Sequence, residues 1–176
     1  MRRGWPWSSP ACAISGTDAP MRIVFWTAFW VFLLDQATKY LVVHMMDLRS
    51  LGSIDLWPPF INLRMAWNYG INFGILAGDD PLTRWVLIAV ALVISGAVLW
   101  WVHNEPLGRW HRFAAGLLVG GALGNVIDRL IYGAVADFLN MSCCGISNPY
   151  AFNVADIAVF AGAFGMVLLP SGKKPS

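Results

Sequence analysis

The sequence predicts an all-α membrane protein, a four-transmembrane-helix bundle with a small β element in its first outer loop. Three observations point there. Of 176 residues, 57% are hydrophobic and 12% charged, about half the charged share of soluble domains. Four apolar stretches of 18 to 21 residues recur along the chain. Between the first two, residues 60–65 largely alternate apolar and polar side chains. The same composition excludes a disordered chain and a disulfide-stapled mini-protein. A formal charge of +2 gives no reason to expect a nucleic-acid partner.

Taken in order, residues 1–21 carry Arg2, Arg3 and several Pro and Ser, and lack the apolar core of a signal peptide. They read as a flexible cytoplasmic extension, or as an upstream start with the true one at Met21. A single membrane domain then covers 22–170, with spans at 23–43, 85–102, 113–132 and 151–169. At about 1.5 Å rise per residue, each reaches across a hydrocarbon core of about 30 Å. Helices are required, because a lone strand would leave its backbone groups unpaired in lipid. Four spans put both termini on one face. Seven cations (Arg2, Arg3, Arg22, Arg109, Arg112, Lys173 and Lys174) fall on that face, against three (Arg49, Arg64 and Arg84) on the other. The positive side is the cytoplasmic one, so residues 171–176 form a cytoplasmic tail and loops 44–84 and 133–150 lie outside.

The 41-residue loop 44–84 is too long for a passive connector. Its alternating segment suits a short strand half-buried at the membrane surface, followed by turn residues at 68–74. Loop 133–150, with Gly133, Gly145, Asn148 and Pro149, is expected to be mobile. The small residues at 116–124 are spaced for close helix packing. Trp85, Trp100, Trp101 and Trp110 near span ends read as an interfacial belt. Cys12, Cys143 and Cys144 build no framework and read as small buried thiols.

Span two is free of polar anomalies and reads as a packing helix. The others hold Asp35, Gln36 and Lys39 in span one, Asn125, Asp128 and Arg129 in span three, and Asn153 and Asp156 in span four. Each ionisable group near the bilayer centre costs about 2.5–3.5 kcal/mol, so several in one small bundle need a reason. Asp35 and Lys39, acid first at i and i+4, suit a structural pair or an anchor near the outer interface. Asn125 and Arg129 share a face, and Asp128, about 100° away around the helix, reads as neutralising a nearby charge.

Asp137 and Asp156 are different. Asp137 follows the outer end of span three, and Asp156 lies about one turn, roughly 6–8 Å, into span four, with Asn153 on the same face. Two carboxylates thus reach one depth with no lysine left for them. In a low-dielectric site such a pair shares a proton. One member can then deprotonate water while the other protonates a scissile carbonyl oxygen. A proton relay would look similar, so spacing alone leaves hydrolase and relay open. No Ser/His or Cys/His arrangement competes, since His44, His103 and His111 fall at span ends or in loops.

Five blocks then carry a resemblance. Asp35-Gln36-Ala37-Thr38-Lys39, Asn68-Tyr69-Gly70-Ile71-Asn72-Phe73-Gly74, the run Gly120 to Leu130 around Asn125, Asp128 and Arg129, Val135-Ala136-Asp137-Phe138, and Phe152-Asn153-Val154-Ala155-Asp156 occur in this order. Together they resemble the signature blocks of bacterial lipoprotein signal peptidase, or signal peptidase II, over about 22–169. The resemblance implies an aspartic endopeptidase of the bacterial inner membrane with its active site near the periplasmic side. It would remove signal peptides from diacylglyceryl-modified prolipoproteins, cutting before the lipidated cysteine. By motif position, Asp137 and Asp156 match the catalytic pair. Asn125, Arg129, Asn153, Asp35, Lys39, Asn68 and Gly70 match supporting or substrate-contacting positions. The resemblance further implies no metal or cofactor, contact with membrane lipids, inhibition by globomycin-type compounds and a monomeric enzyme. Two features depart from the family pattern: the N-terminal extension, and Ile71-Asn72 where small residues are more usual. Three rival readings of the polar residues are a proton-coupled transporter, a Mg²⁺-dependent lipid-phosphate enzyme with Arg129 on the phosphate, and a thiol oxidoreductase using Cys143-Cys144.

Overall fold

A computed structural model describes residues 18–58, 60–70, 81–141 and 148–169. Most of the N-terminal extension, residues 71–74 of the second motif block, Cys143-Cys144 and the C-terminal tail lie outside the described residues. The chain runs through α1 (Asp18–Lys39), a π-helical continuation (Tyr40–Met45), α2 (Leu48–Leu51), β1 (Ser53–Trp57) and β2 (Ile61–Asn68). It then forms α3 (Pro81–Asn104), α4 (Arg109–Tyr132), β3 (Val135–Met141) and α5 (Val154–Leu168). The fold is mostly helical with one small sheet. Leu82–Asn104 and Arg109–Tyr132 are long and apolar enough to cross a membrane, and α5 is a shorter apolar helix.

Helix α4 sits at the centre and packs on α1, α3 and α5. Its small residues allow this, as the spacing at 116–124 predicted. A Cβ on Gly120 would stand 2.6 Å from the Ala28 carbonyl of α1. From the other side, a Cβ on Gly162 of α5 would stand 2.6 Å from the Ala114 carbonyl of α4. Neither backbone can retreat without parting the helices, so glycine is required at both contacts. The outward faces are apolar, with Val93, Trp100 and Phe160 exposed, and the four tryptophans at 85, 100, 101 and 110 are all exposed.

The helices extend beyond the apolar stretches that predicted them, because backbone pairing continues through flanking polar residues until a cap intervenes. Helix α5 is the exception. It begins at Val154, since Asn153 caps it, and Asp156 therefore lies in its first turn. The expected strand is present as β2. Part of the second outer loop departs from expectation: Val135–Met141 forms a strand, while residues 142–147 lie outside the described residues. At Gly133, φ is +83°, a left-handed turn that ends α4 and turns the chain directly into β3. The antiparallel sheet has the order β1-β2-β3, with Ala66 opposite Asp137 and Asn68 opposite Val135. Phe138 and Leu63 of the sheet pack with Val42 and Leu48, which anchors the sheet on the end of the bundle. Leu139 and Phe152 exchange backbone hydrogen bonds of 2.8 and 2.9 Å, which fixes β3 against the entry to α5.

Candidate active site

Strand β3 and the start of helix α5 carry the two aspartates. Asp137 sits on β3, whose neighbours Val135, Ala136 and Phe138 are buried, and is itself only 2% exposed. Asp156 is at the N3 position of α5, where its side chain completes a capping box with Asn153. The fully buried Asn153 joins the pair. Its Oδ1 accepts from the Asp156 N–H at 2.8 Å, which leaves Nδ2 free to donate to Asp137 Oδ1 at 2.6 Å. One amide therefore holds both acidic residues.

Each remaining carboxylate oxygen also has a donor. Asn68, at the end of β2, donates to Asp137 Oδ2 at 3.0 Å. Asn125, on α4, donates to Asp156 Oδ1 at 2.9 Å, and the Asn153 backbone N–H reaches Asp156 Oδ2 at 3.3 Å. Asn153 Nδ2 further contacts Asn125 Oδ1 at 3.3 Å, so the three asparagines and two aspartates form one connected network. Burial, and after it the charge of Asp156, pushes the Asp137 carboxyl up to about 7; hydrogen bonds from Asn68 and Asn153 and the charge of Lys39 pull the other way. At neutral pH Asp137 is then poised between donating and accepting a proton.

Arg129 and Gly70 border this network. Arg129 donates to the Asn125 carbonyl at 3.3 Å and the Gly70 carbonyl at 3.2 Å, while the Gly70 N–H reaches Asn68 Oδ1 at 3.2 Å. Arg129 thereby links α4 to the end of β2. Its Nε is buried and has no hydrogen-bond partner among the described residues. Beside Asp156 an apolar cavity of about 490 Å³ is lined by Tyr150, Phe152, Ile157 and Phe160. It gives the carboxylate a greasy approach along the outer face of α5.

Asp35 and Lys39 form the expected i, i+4 pair at 2.8 Å but stand one layer behind the aspartates. Lys39 reaches Asn125 Oδ1 at 3.4 Å and pairs with Asp128 at 2.7 Å. Asp128 thus does neutralise a nearby charge, that of Lys39. The sequence reading assigned no role to Gln36, which donates to Asp35 at 3.1 Å and to Asp128 at 3.0 Å. Its position next to Asp35 within an apolar helix was the available signal. Among the described residues no group of three His, Cys, Asp or Glu side chains could hold a metal ion.

Known proteins match this chain in sequence and in fold. A family model described as Signal peptidase (SPase) II matches residues 27–170. A lipoprotein signal peptidase of Alteromonas mediterranea is 39% identical over 144 residues, covering 81% of this chain and 77% of the relative. One of Methylobacterium sp. strain 4-46 is 37% identical over 149 residues, covering 85% and 88%. One of Rhodopseudomonas palustris strain CGA009 is 34% identical over 164 residues, covering 89% and 99%. Two solved structures, both described as a bacterial membrane enzyme, align at TM-scores of 0.71 and 0.69 with 29% and 28% identity. Each covers 82% of this chain, and 85% and 90% of the respective solved chain is matched.

Proposed function

Because the chain belongs to the signal peptidase II family, a family of peptidases that process prolipoproteins, we propose that Asp137 and Asp156 are its catalytic dyad. In this reading it is an aspartic endopeptidase that removes the signal peptide of diacylglyceryl-modified prolipoproteins, cutting before the lipidated cysteine. The observation that carries it is Asn153, which hydrogen-bonds to both aspartates. The dyad starts with one proton shared between two carboxylates. Asp137, whose carboxyl burial holds near neutrality, carries it. The ionised partner takes a proton from water, whose oxygen attacks the scissile carbonyl carbon, while the protonated aspartate donates to the carbonyl oxygen. As the gem-diol collapses, the C–N bond breaks, the aspartate that took the water proton gives it to the leaving amine, and the other takes back a hydroxyl proton, which restores the one-proton dyad. Asn68, Asn125 and Asn153 orient the carboxylates. Arg129 and Gly70 hold the peptide or the lipid ester beside them, and Asp35 with Lys39 supports Asn125 from behind.

The membrane arrangement belongs to the same reading. Helices α1, α3, α4 and α5 are taken as four spans in the bacterial inner membrane, with 22–170 as the peptidase domain and both termini cytoplasmic. Two of them have the length and apolarity for it, and the seven-to-three bias of cations gives the orientation. The sheet and the dyad then lie toward the periplasm, where a lipidated cysteine emerges from the bilayer. Its acyl chains stay among membrane lipids while the peptide enters past the cavity beside Asp156. The enzyme works as a monomer, needs no metal or cofactor, and is blocked by globomycin-type inhibitors.

The test is cleavage of a diacylglyceryl-modified substrate by purified Asp137→Asn and Asp156→Asn variants that insert normally. Both should lose turnover, and a chelator should leave the parent enzyme unaffected. Near-parental turnover in either variant refutes the dyad, and loss with the chelator favours a metal-dependent phosphate chemistry instead.

A further inference from the structure

Behind the dyad lies a second acidic pair that the mechanism above does not use fully. Asp35 and Asp128 are both fully buried, and Lys39, itself 5% exposed, stands between them at 2.8 and 2.7 Å. Gln36 spans the same two carboxylates. Two buried negative charges on one ammonium form an arrangement that stability alone does not favour, since apolar replacements of buried ion groups are often neutral or stabilising. Their remaining partners show what else they hold. Asp35 Oδ1 accepts the N–H of Ala155 at 2.9 Å, and Asp128 Oδ2 accepts the N–H of Ala136 at 3.1 Å. Ala155 immediately precedes Asp156, and Ala136 immediately precedes Asp137. Both alanines are buried.

We propose that Asp128 is a positioning residue for the dyad, one arm of a two-armed clasp in which Asp35 and Asp128, closed on Lys39, fix the backbone ahead of each catalytic aspartate. The proposal rests on the dyad reading and deepens it. Through Asp35, helix α1 sets the start of α5. Through Asp128, helix α4 sets the height of β3. Lys39 ties the two arms, so the spacing of the aspartates is determined by one buried ion group and not by the sheet or the helix cap separately. Its contact with Asn125 Oδ1 also turns the Asn125 amide so that Nδ2 faces Asp156. Among the described residues none of the three charged groups hydrogen-bonds to or pairs with the dyad carboxylates, although the charge of Lys39 is felt at Asp137. They act through backbone and Asn125.

Asp128→Asn is the decisive variant. It has the same shape but no charge: a single neutral amide oxygen must serve both Lys39 and the Ala136 N–H in the place of Oδ2, while the new NH2 faces the Gln36 donor, so the Ala136 arm loses its charge-assisted hold. A misplacement approaching 1 Å can lower turnover by about 100-fold. The variant, assayed on a diacylglyceryl-modified prolipoprotein peptide with active sites counted by a tight-binding inhibitor, should show kcat lowered by about 10- to 100-fold per site. KM should stay within about twofold, and the limbs of the pH–rate profile should move as the dyad separation changes. A merely structural role would lower the number of active sites and leave kcat per site and the pH limbs unchanged, and that result overturns the clasp. Should Asp128→Asn fail to insert, Ala155→Pro decides. It removes the N–H given to Asp35 at the second residue of α5 and puts a ring carbon against that carboxylate, so this arm opens while Asp128 and Lys39 keep their own contacts. Lowered kcat there supports the clasp, and parental kcat refutes it. Asp137→Asn run alongside separates the two ideas. If it is inactive while Asp128→Asn is normal, only the clasp falls; if it is active, the dyad falls as well.

Discussion

Replacing Asn153 with alanine removes the one side chain that bonds both aspartates, and its effect divides into two separable parts. The first is structural. Losing an N-cap residue costs about 1 kcal/mol of helix stability, and the cap here is Asn153 Oδ1 on the Asp156 N–H. The backbone half of the capping box, from the Asn153 N–H to Asp156 Oδ2, survives the substitution. The second part concerns the proton. The 2.6 Å bond from Asn153 Nδ2 to Asp137 Oδ1 stabilises the ionised carboxylate in a buried site. A hydrogen bond to a charged group contributes about 1.5–3 kcal/mol. Each 1.4 kcal/mol corresponds to about one pH unit, so removing the donor moves the Asp137 carboxyl upward by about one to two units from its position near 7. Because Asp137 is the member proposed to start protonated, the alkaline limb of kcat/KM follows it upward. At the same time kcat falls, because Asp137 has lost an orienting contact. The assay is a pH–rate profile on lipidated substrate from pH 5 to about 10, with carbon-13 NMR of labelled aspartate as an independent titration. An alkaline limb that stays where the parent has it, with kcat also unchanged, would show that Asn153 does not tune the dyad and would refute the reasoning.

Gly124→Ala places a Cβ 2.6 Å from Asp35 Oδ2 and 3.4 Å from the Ala155 Cβ. Overpacking of this kind costs about 1–3 kcal/mol, so thermal unfolding in detergent should occur earlier and turnover should drop as Asp35 is displaced. The raised Asp137 carboxyl also makes stability depend on pH. Its contribution is fully present below its ordinary value of 3.8 and is lost as pH rises through about 7, a ceiling of about 4 kcal/mol for a gap of about three units. Asp137→Asn should therefore flatten the fall in melting temperature that the parent shows between about pH 4 and 7. Finally, Phe160→Ser in the cavity beside Asp156 should raise KM about tenfold through the loss of about 1.5 kcal/mol of apolar contact, with kcat within twofold. A change confined to kcat would remove the cavity from the substrate path.

Much of the helical frame was legible because lipid-facing residues must be apolar over a fixed length, and polar residues inside such runs stand out. Asp156, Asn125 and Asn153 were recognisable on this ground before any geometry, Asp137 by its place just beyond the outer end of span three, and the i, i+4 spacing of Asp35 and Lys39 carried their pairing. Strand β3 was not legible. Its sequence, Val135-Ala136-Asp137-Phe138-Leu139-Asn140-Met141, lacks strict alternation because the strand is buried on both sides, between β2 and the bundle end. The glycine before it and the Asn148-Pro149 pair after it resemble loop punctuation. In the structure Asn140 donates to the carbonyls of Asn148 and Tyr150 at 2.7 and 2.8 Å, which ties the end of β3 to the approach to α5. The start of α5 was misplaced by three residues for a related reason. Asn153 reads as one more polar residue inside a span until its side chain is seen capping the helix.

The buried charges argue for geometry over stability. Taking Asp35, Asp128 and Lys39 out of water costs several kcal/mol per ion, and their mutual attraction only roughly offsets that. Small residues from α1, α4 and α5 could have closed the same space, as they do at Gly120 and Gly162. Apolar packing, however, fixes helices only to within the tolerance of van der Waals contacts, and it cannot hold a single backbone N–H at a defined place in a sheet and in a helix cap together. Hydrogen bonds to carboxylates can, because they are short and directional. The two arms hold neighbouring peptide groups at 2.9 and 3.1 Å, one on each of the two elements that carry the aspartates. A reaction that needs two carboxylates to share one proton depends steeply on their separation. The ion group is therefore placed where it constrains that separation most directly, one residue ahead of each acid.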